Sequence, residues 1–278
     1  MSGAAHILLA QAFFAFMNVG VKLVPRVPAH EIVFFRAATT LVTGYIILRV
    51  RRVPAWGVNR PLLVARGLVG TAALLMYFWS LQHMPLATAV TVQHVSPIFT
   101  VLVSALLLRE LPRPIQLPFF LMAFAGVALV KGFDPAVTLV ELGVGIGAAV
   151  LSAVAYNLIR MLREHDHPLV VVFYFPLVTV PVVGPYTLTR WHPPSPLEWG
   201  VLIAVGLATT AAQIFITRAY QQDRAANISI FNYTGIVFAL ALGLVLFHEV
   251  PDPFALAGVL LIALGVALGT RYSGRHDA

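Results

Sequence analysis

The chain has 278 residues, of which 59% are hydrophobic and only 10% are charged, and its mean hydropathy is +0.88. A typical soluble domain is about half apolar and about one quarter charged, and a soluble globule of this size could not hide so much apolar surface from water. The composition therefore excludes a soluble enzyme, a disordered chain and a fibrous repeat. It predicts a polytopic membrane protein whose solvent is lipid.

The net charge of +7 comes largely from basic residues in short gaps between apolar runs. This placement favours anionic lipid headgroups over a nucleic-acid groove, so we expect membrane lipids and no nucleic acid as partners. The chain has no cysteine, which excludes disulfides, thiolate catalysis and Cys-based metal sites.

Ten apolar runs are candidates for helices that cross a hydrocarbon core of about 30 Å. They do not alternate in polarity, which favours helices over barrel strands. Prolines interrupt the seventh run, and we keep it as a kinked span. The ten predicted spans are Ala4–Val24, His30–Leu48, Leu62–Leu81, Ala87–Leu108, Gln116–Val130, Gly143–Leu162, Leu169–Leu188, Trp199–Tyr220, Ala226–Phe247 and Phe254–Gly269.

The basic residues predict how the spans are oriented. With the N-terminus in the cytoplasm, the inner segments hold twelve of the eighteen lysines and arginines, the outer segments hold four, and Arg36 and Arg66 lie within spans. Cytoplasmic loops of multi-pass proteins carry the excess of positive charge. We therefore predict a multi-pass protein of the cell (plasma or inner) membrane with both termini cytoplasmic.

The second half of the sequence repeats the first at a constant offset, which we call the repeat shift. It places Asn18 on Asn157 and Gly67 on Gly206. Over positions 110–129 the same shift gives nine identities with positions 249–268 without a gap, where roughly two would arise by chance. We interpret this register as a duplicated five-helix unit, with one repeat at 4–130 and the other at 143–269.

An odd number of helices in each repeat inverts the second repeat relative to the first. Two near-equivalent inverted halves can exchange conformations, which opens one central site to each side of the membrane in turn. The predicted fold is therefore an all-α integral membrane protein of ten transmembrane helices, arranged as two inverted five-helix repeats. This symmetry is typical of secondary transporters.

One short pattern occurs in both repeats and supports a family resemblance. The segments Leu108–Pro112 (LRELP) and Phe247–Pro251 (FHEVP) occupy equivalent places. Together with Asn18, Arg36 after two phenylalanines, and Gly265, they resemble the EamA type of the drug/metabolite transporter superfamily. The resemblance covers nearly the whole chain. It implies export or exchange of small organic metabolites, often amino acids or related compounds, with a cavity between the repeats.

Polar side chains deep in the spans are the candidate site residues, because in lipid each needs a partner or an aqueous cavity. Asn18 and Asn157 are related by the repeat and lie on either side of the midplane. They are candidates for binding substrate, and the alternative is a hydrogen bond between helices. Tyr77, Tyr156 and Tyr233 lie away from the interfaces and are candidates for lining the substrate cavity.

The fourth span carries a polar cluster near its centre. Gln93 and His94 precede Pro97, which predicts a kink, and broken helices build transporter sites. The corresponding residues in the ninth span are Asn232 and Tyr233. We take all four polar residues as candidates for substrate binding. His94 is either a cavity residue able to carry a proton or a neutral imidazole bonded to a neighbouring carbonyl.

Two arginines fall inside predicted spans. Arg36 lies six residues into the second span and is a candidate ligand for a substrate carboxylate, the alternative being that it reaches the outer interface. Arg66 lies closer to the inner surface, and we expect it to snorkel there.

For the remaining charged motifs we expect structural roles. Glu110 and Glu249 each close a helix before a proline, so we expect them to cap the amides of the helix that follows. The segment His165–His167 lies in a short inner loop, where we expect a solvated turn rather than a metal site.

The chain carries no His-Glu-x-x-His, P-loop, Gly-x-Ser-x-Gly or Gly-x-Gly-x-x-Gly motif. We therefore predict no enzyme activity and no cofactor, and a monomer that exports a small-molecule metabolite by alternating access. One rival function is a polytopic membrane enzyme acting on lipids, which would need a nucleophile–base pair or metal set that the sequence does not show. The other is a passive channel, which would need a ring of like charges.

Overall fold

The computed structural model describes residues 3–108, 137–162, 165–222, 234–250 and 253–274, together with isolated positions between 118 and 129. All the regular structure in these residues is helical. In chain order the helices are α1 (Gly3–Leu23), α2 (Ala29–Val50), α3 (Arg60–His83), α4 (Leu86–Gln93), α5 (Ser96–Leu108), α6 (Leu139–Leu162), α7 (Pro168–Thr189), α8 (Pro196–Gln222), α9 (Thr234–Phe247) and α10 (Pro253–Gly274).

Six of these helices are long and apolar enough to cross a membrane, namely α1, α2, α3, α6, α7 and α8. Shorter apolar helices cover Thr234–Phe247 and Leu256–Gly265. Large apolar side chains such as Val182, Val237 and Leu264 remain exposed on the helix surfaces. In water such a surface would be a liability, whereas in a bilayer it is the contact with lipid. The described residues thus form a helical integral membrane protein, as predicted.

The helices follow the predicted spans, with one interruption. α7 runs through its three internal prolines as a single helix. The fourth predicted span is instead two helices, because α4 ends at Gln93 and α5 begins at Ser96. Pro97 lies in the first turn of α5, where its missing N–H costs no helical hydrogen bond. The predicted fifth span, Gln116–Val130, and the first part of the ninth lie largely outside the described residues.

Helices from the first half of the chain pack mainly against helices from the second half. α1 lies on α8, α3 lies on α6, and α2 crosses α7. In addition, α2 contacts α8 and α3 contacts α7. Buried apolar residues such as Ile32, Phe78, Leu81 and Leu202 form one cluster through these contacts. The core is therefore shared, and each half covers apolar surface of the other.

Glycines allow a close approach of helices at two crossings. A Cβ added to Gly67 of α3 would lie 2.7 Å from Val178 Cβ on α7, and a Cβ added to Gly206 of α8 would lie 2.5 Å from Thr39 Cβ on α2. Both distances are far below van der Waals contact. A larger residue at either position would therefore push two helices apart.

A pair of hydroxyl groups lies about one turn beyond each glycine. Thr71 Oγ1 lies 2.7 Å from Thr179 Oγ1, and Thr210 Oγ1 donates to Thr40 Oγ1 at 3.2 Å. The repeat shift found in the sequence converts each member of the first pair into a member of the second. We call residues related by this shift counterparts. The glycine contacts obey the same rule, because Gly206 and Thr39 are the counterparts of Gly67 and Val178.

We expect Gly67→Ala to lower the free energy of unfolding by about 1–3 kcal/mol, because the added methyl group overpacks the α3–α7 crossing. The measurement is thermal unfolding of the purified protein in detergent, in which the midpoint should fall. Gly200→Ala is the matched control, because no heavy atom lies within 4 Å of the Cβ that it adds. The unfolding midpoint of Gly200→Ala should stay unchanged or rise, because alanine has a higher helix propensity than glycine. An unchanged midpoint for Gly67→Ala would contradict the close crossing.

Candidate functional site

Two buried arginines lie where α2, α3 and α7 meet. Arg36 is 4% exposed, and its guanidinium carbon lies 5.6 Å from the ring centres of both Phe78 and Phe175. Arg66 is 7% exposed, and its guanidinium carbon lies 4.4 Å from the centre of the same Phe175 ring. The two cations therefore share one aromatic ring, whose electron-rich face attracts them.

The two guanidinium groups have few hydrogen-bond partners. Arg36 Nε donates to Thr209 Oγ1 at 3.0 Å, but its Nη1 has no hydrogen-bond partner among the described residues. Neither Nε nor Nη1 of Arg66 has one. Within the described part of the chain, no ion pair joins either arginine to a carboxylate. The charge of Arg66 acts on Arg36, and the hydroxyl of Tyr156 acts on both arginines.

The burial of these arginines excludes one of the two roles predicted for Arg36 and contradicts the role predicted for Arg66. Arg36 is too deeply buried to reach the outer interface. The prediction that Arg66 snorkels to the inner surface is wrong, because Phe175 covers it. Gly70, one turn later on the same face of α3, makes room for that ring, since a Cβ there would lie 2.9 Å from Phe175 Cε2. The sequence contained a signal for this packing. Gly70 lies on the same helix face as Arg66, and a small residue there marks the place where another helix approaches.

Three further candidates lie on α1, α3 and α6. The Tyr77 hydroxyl of α3 donates to Asn18 Oδ1 of α1 at 3.1 Å, which joins two predicted site residues directly. Tyr156 of α6 is 42% exposed, although both arginine charges act on its hydroxyl. We call Arg36, Arg66, Asn18, Tyr77 and Tyr156 the arginine–tyrosine group.

The break between α4 and α5 holds two more candidates. Gln93 Nε2 donates to Ser152 Oγ of α6 at 2.8 Å, and its Oε1 is buried without a partner. His94 Nδ1 lies 2.7 Å from Val90 O, and since a carbonyl only accepts, this nitrogen carries a proton. The imidazole faces α9, where a Cβ on Gly235 would lie 3.1 Å from it. The sequence offered two roles for His94, and the contact with Val90 O corresponds to the second, an imidazole bonded to a neighbouring carbonyl.

Asn157 joins α6 to α5. Its Nδ2 donates to Ala153 O and to Thr100 O, both at 3.0 Å, while its Oδ1 is buried without a partner. The hydrogen bond between helices was the predicted alternative to substrate binding. The candidates Asn232 and Tyr233 lie outside the described residues.

An ion pair connects the ends of α1 and α9 with the turn between α3 and α4. Lys22 Nζ pairs with Glu249 Oε1 and donates to Met84 O at 3.1 Å, and Glu249 Oε2 accepts the Leu86 N–H at 2.8 Å. Pro85 precedes α4 and offers no side-chain cap. Glu249 therefore supplies the anion at the N-terminus of α4. The prediction that Glu249 caps the helix following it in the chain is wrong, because Glu249 caps α4 instead.

The backbone after α9 explains this change of partner. His248 has a left-handed conformation, with φ of 53°, and the Glu249 N–H donates back to Gly243 O of α9 at 3.1 Å. The turn holds Glu249 against the last part of α9, next to α4. The other predicted cap, Glu110, lies outside the described residues.

Two buried carboxylates bind loops from the opposite half of the chain. Asp166 is 7% exposed, and its oxygens accept the Val58 N–H at 2.6 Å and the Asn59 N–H at 3.1 Å. Glu31 is fully buried and accepts the His192 N–H at 2.6 Å. The expectation of a solvated turn is therefore wrong at Asp166, because backbone N–H groups take the place of water as donors to its carboxylate. Among the described residues, no cluster of histidine and acidic side chains has the size of a metal site.

Comparisons with known proteins agree with this architecture. The EamA-like transporter family matches residues 1–132 and again residues 140–271. The pseudopaline exporter CntI of Pseudomonas aeruginosa (strain UCBPP-PA14) is 35% identical over 277 residues, covering 98% of each chain. Solute carrier family 35 member G1 of Homo sapiens is 28% identical, covering 94% of this chain and 76% of its own. A solved crystal structure aligns over 100% of both chains with a TM-score of 0.71 at 20% identity, which is a likeness of fold.

The helical membrane fold and the family matches define a membrane transporter rather than an enzyme, as predicted. The chain belongs to the EamA-like transporter family, within the drug/metabolite transporter superfamily to which the sequence motifs pointed.

We expect Asn18→Ala and Tyr77→Phe to be coupled, because each removes the same interhelical hydrogen bond. A double-mutant cycle on unfolding in detergent should give a coupling free energy of about 0.6 kcal/mol. Tyr186→Phe, an exposed tyrosine on α7, replaces Tyr77→Phe in the control cycle and should add independently to Asn18→Ala. Strict additivity of the first cycle would contradict the bond.

Proposed function

We propose that the chain is a secondary transporter that exports small organic metabolites, such as amino acids, by alternating access. The observation that carries the proposal is the pairing of contacts between halves. The repeat shift that relates the two halves of the sequence also relates the glycine and threonine contacts at the α3–α7 and α2–α8 crossings. When a shift exchanges the two members of each pair of contacts in this way, the two units that make the contacts are related by a two-fold axis.

The direction of this axis follows from α2 and α7, which are counterparts. They run antiparallel, because Phe34 lies beside Gly184 whereas Tyr45 lies beside Phe173. A two-fold axis that exchanges two antiparallel helices is perpendicular to both, and therefore lies in the plane of the membrane that they cross. This supports inverted repeats at 4–130 and 143–269, and the two family matches divide the chain in the same way.

Arg36, a member of the arginine–tyrosine group, lies close to this axis. Arg36 and Phe175 are counterparts, and they contact each other. A residue that contacts its own counterpart lies close to the axis, where both halves are equally near. A substrate held there stays in place while the two halves exchange conformations, and it becomes accessible first from one side and then from the other.

The Lys22–Glu249 ion pair supports closure of one face in the described conformation. It connects an end of α1 with the turn after α9, which belong to different halves. With both termini in the cytoplasm of a cell with an inner or plasma membrane, this face is the outer one. An exporter breaks such a pair when it releases its substrate outward. A relative named as a pseudopaline exporter supports this direction.

Counterflow in liposomes tests the proposal. Vesicles containing the purified protein are loaded with unlabelled proteinogenic amino acids and diluted into medium with one ¹⁴C-labelled amino acid at a time. We expect transient accumulation of label for at least one amino acid, because a carrier exchanges internal for external substrate, and none in protein-free vesicles. Equilibration without an overshoot would contradict alternating access. The absence of any flux would contradict an amino-acid cargo.

A cysteine reporter tests the outer ion pair, because the chain has no cysteine of its own. Thr91 of α4 is fully buried and its Oγ1 has no partner, so Thr91→Cys costs no hydrogen bond. Glu249→Gln removes the charge but keeps an oxygen for the Leu86 N–H. We expect the reporter to react about fivefold faster with an impermeant maleimide added outside, because about 1 kcal/mol of closure is lost.

The matched control for this experiment is Glu198→Gln. Glu198 Oε2 accepts the N–H of Ser195 at the start of its own helix, on the same proposed face, at 2.7 Å. Its replacement should leave labelling of the Thr91→Cys reporter unchanged. Equal labelling in the Glu249→Gln background would mean that the ion pair does not hold this face closed.

A further inference from the structure

We infer that Arg36 and Arg66 bind a dicarboxylate, meaning a small organic acid with two carboxylate groups, acidic amino acids included. The inference rests on the proposed transport function, because it narrows the class of cargo. It begins from an imbalance in the described structure: two buried cations lie together and no carboxylate pairs with either of them.

Buried charges in proteins are paired, because the loss of water must be compensated. In a membrane protein lipid offers no such compensation, and an unpaired intramembrane charge marks a site for an ion or a substrate. Arg36 Nη1 and Arg66 Nε and Nη1 are buried donors that find no acceptor in the part of the chain that the structure describes. The missing partner is therefore an acceptor with negative charge that is absent from the described part of the chain.

The existing contacts explain how the protein tolerates the two buried arginines when this partner is absent. Phe175 attracts both cations, Phe78 attracts Arg36, and Thr209 accepts one of its N–H groups. Ring contacts offset part of the cost of burial and leave the N–H donors open. The side chains are thus fixed in place with their hydrogen-bonding capacity unused, which is a preorganised binding site.

The shared ring favours an organic diacid over an inorganic anion. Both guanidinium carbons lie next to Phe175, so they are no farther apart than the sum of 4.4 Å and 5.6 Å. Each guanidinium can bind a carboxylate through two parallel hydrogen bonds. A ligand that reaches both cations lays a short carbon skeleton near the apolar ring, which a compact anion such as phosphate would leave uncovered.

The site is also central. Arg36 lies at the contact between counterparts from the two halves. A diacid bound here would neutralise both cations and would lie where a two-fold exchange of conformations carries it across the membrane.

Binding to the purified full-length protein in detergent tests the inference with matched probes. Glutarate and valerate have the same number of carbon atoms and differ in the second carboxylate, and inorganic phosphate is the compact anion. We expect glutarate to bind at least about tenfold more tightly than valerate or phosphate, because only glutarate pairs with both arginines. Equal affinity for valerate, or tighter binding of phosphate, would overturn the assignment.

Variants separate a ligand-binding role from a structural one. Arg66→Met and Arg36→Gln should each weaken glutarate binding about tenfold or more. Arg66→Met should also leave the melting temperature of the ligand-free protein unchanged or raise it, because it removes an uncompensated charge and methionine packs well on Phe175. A lower melting temperature with unchanged glutarate affinity would show that Arg66 is structural.

The matched control is Arg60→Met. Arg60 is exposed, and its guanidinium carbon lies 5.7 Å from the Trp56 ring centre, so it repeats the ring contact without the burial. Its replacement should leave glutarate binding unchanged. Arg66→Lys keeps the charge without the planar fork and should lie between the wild type and Arg66→Met, which tests the carboxylate geometry should the methionine variant fold poorly.

Binding and transport can fail independently. If glutarate does not bind while neutral amino acids still show counterflow, the dicarboxylate assignment is wrong and the carrier remains. If glutarate binds in an arginine-dependent way but no labelled compound crosses the liposome membrane, the site stands and the transport proposal fails.

Discussion

Lipid neither donates nor accepts hydrogen bonds, and this constraint organises the whole structure. Polar groups on the membrane helices must find partners inside the protein. The threonine pairs at the two helix crossings, the bond from Tyr77 to Asn18 and the carboxylate of Glu249 at the N-terminus of α4 all meet this requirement. The exceptions are informative for the same reason. The unpaired donors of Arg36 and Arg66 lie at the contact between the two halves, where a ligand can supply what the described chain lacks.

The contacts between the halves are only partly symmetric. Asp166 and Glu31 each accept backbone N–H groups from a loop of the opposite half. These contacts are not exchanged by the repeat shift, because the counterparts of Asp166 and Glu31 are Val27 and Val170. The Lys22–Glu249 ion pair is not exchanged either, because the counterpart of Lys22 is Met161, which has no charge. Under the proposed alternating access, the two membrane faces would close with different chemistry. Two conformations related by the repeat exchange need not be equally stable, and such a difference can bias which face is open without substrate.

Much of the fold was predictable because it depends on local composition. Apolar runs of sufficient length specify membrane helices, and the described helices follow them, including α7 with its three prolines. Pro97 marked the region where the fourth span divides, although the break itself falls at His94, before the proline. The errors share one cause. Arg66, Glu249 and Asp166 were each assigned the partner nearest in sequence, water or the adjacent helix, and each lies instead against a distant segment.

The amino-acid sequence alone determined the membrane class, the positions of most helices, the family resemblance and the internal repeat shift, because hydropathy and repeated residues are properties of short segments. Only the tertiary structure decided that Arg36 and Arg66 share the Phe175 ring, that Asn18 accepts from Tyr77, and that Glu249 serves α4. These contacts join residues far apart in the chain. Such contacts depend on how close helices approach and how they rotate against each other, which the packing of all the helices sets together.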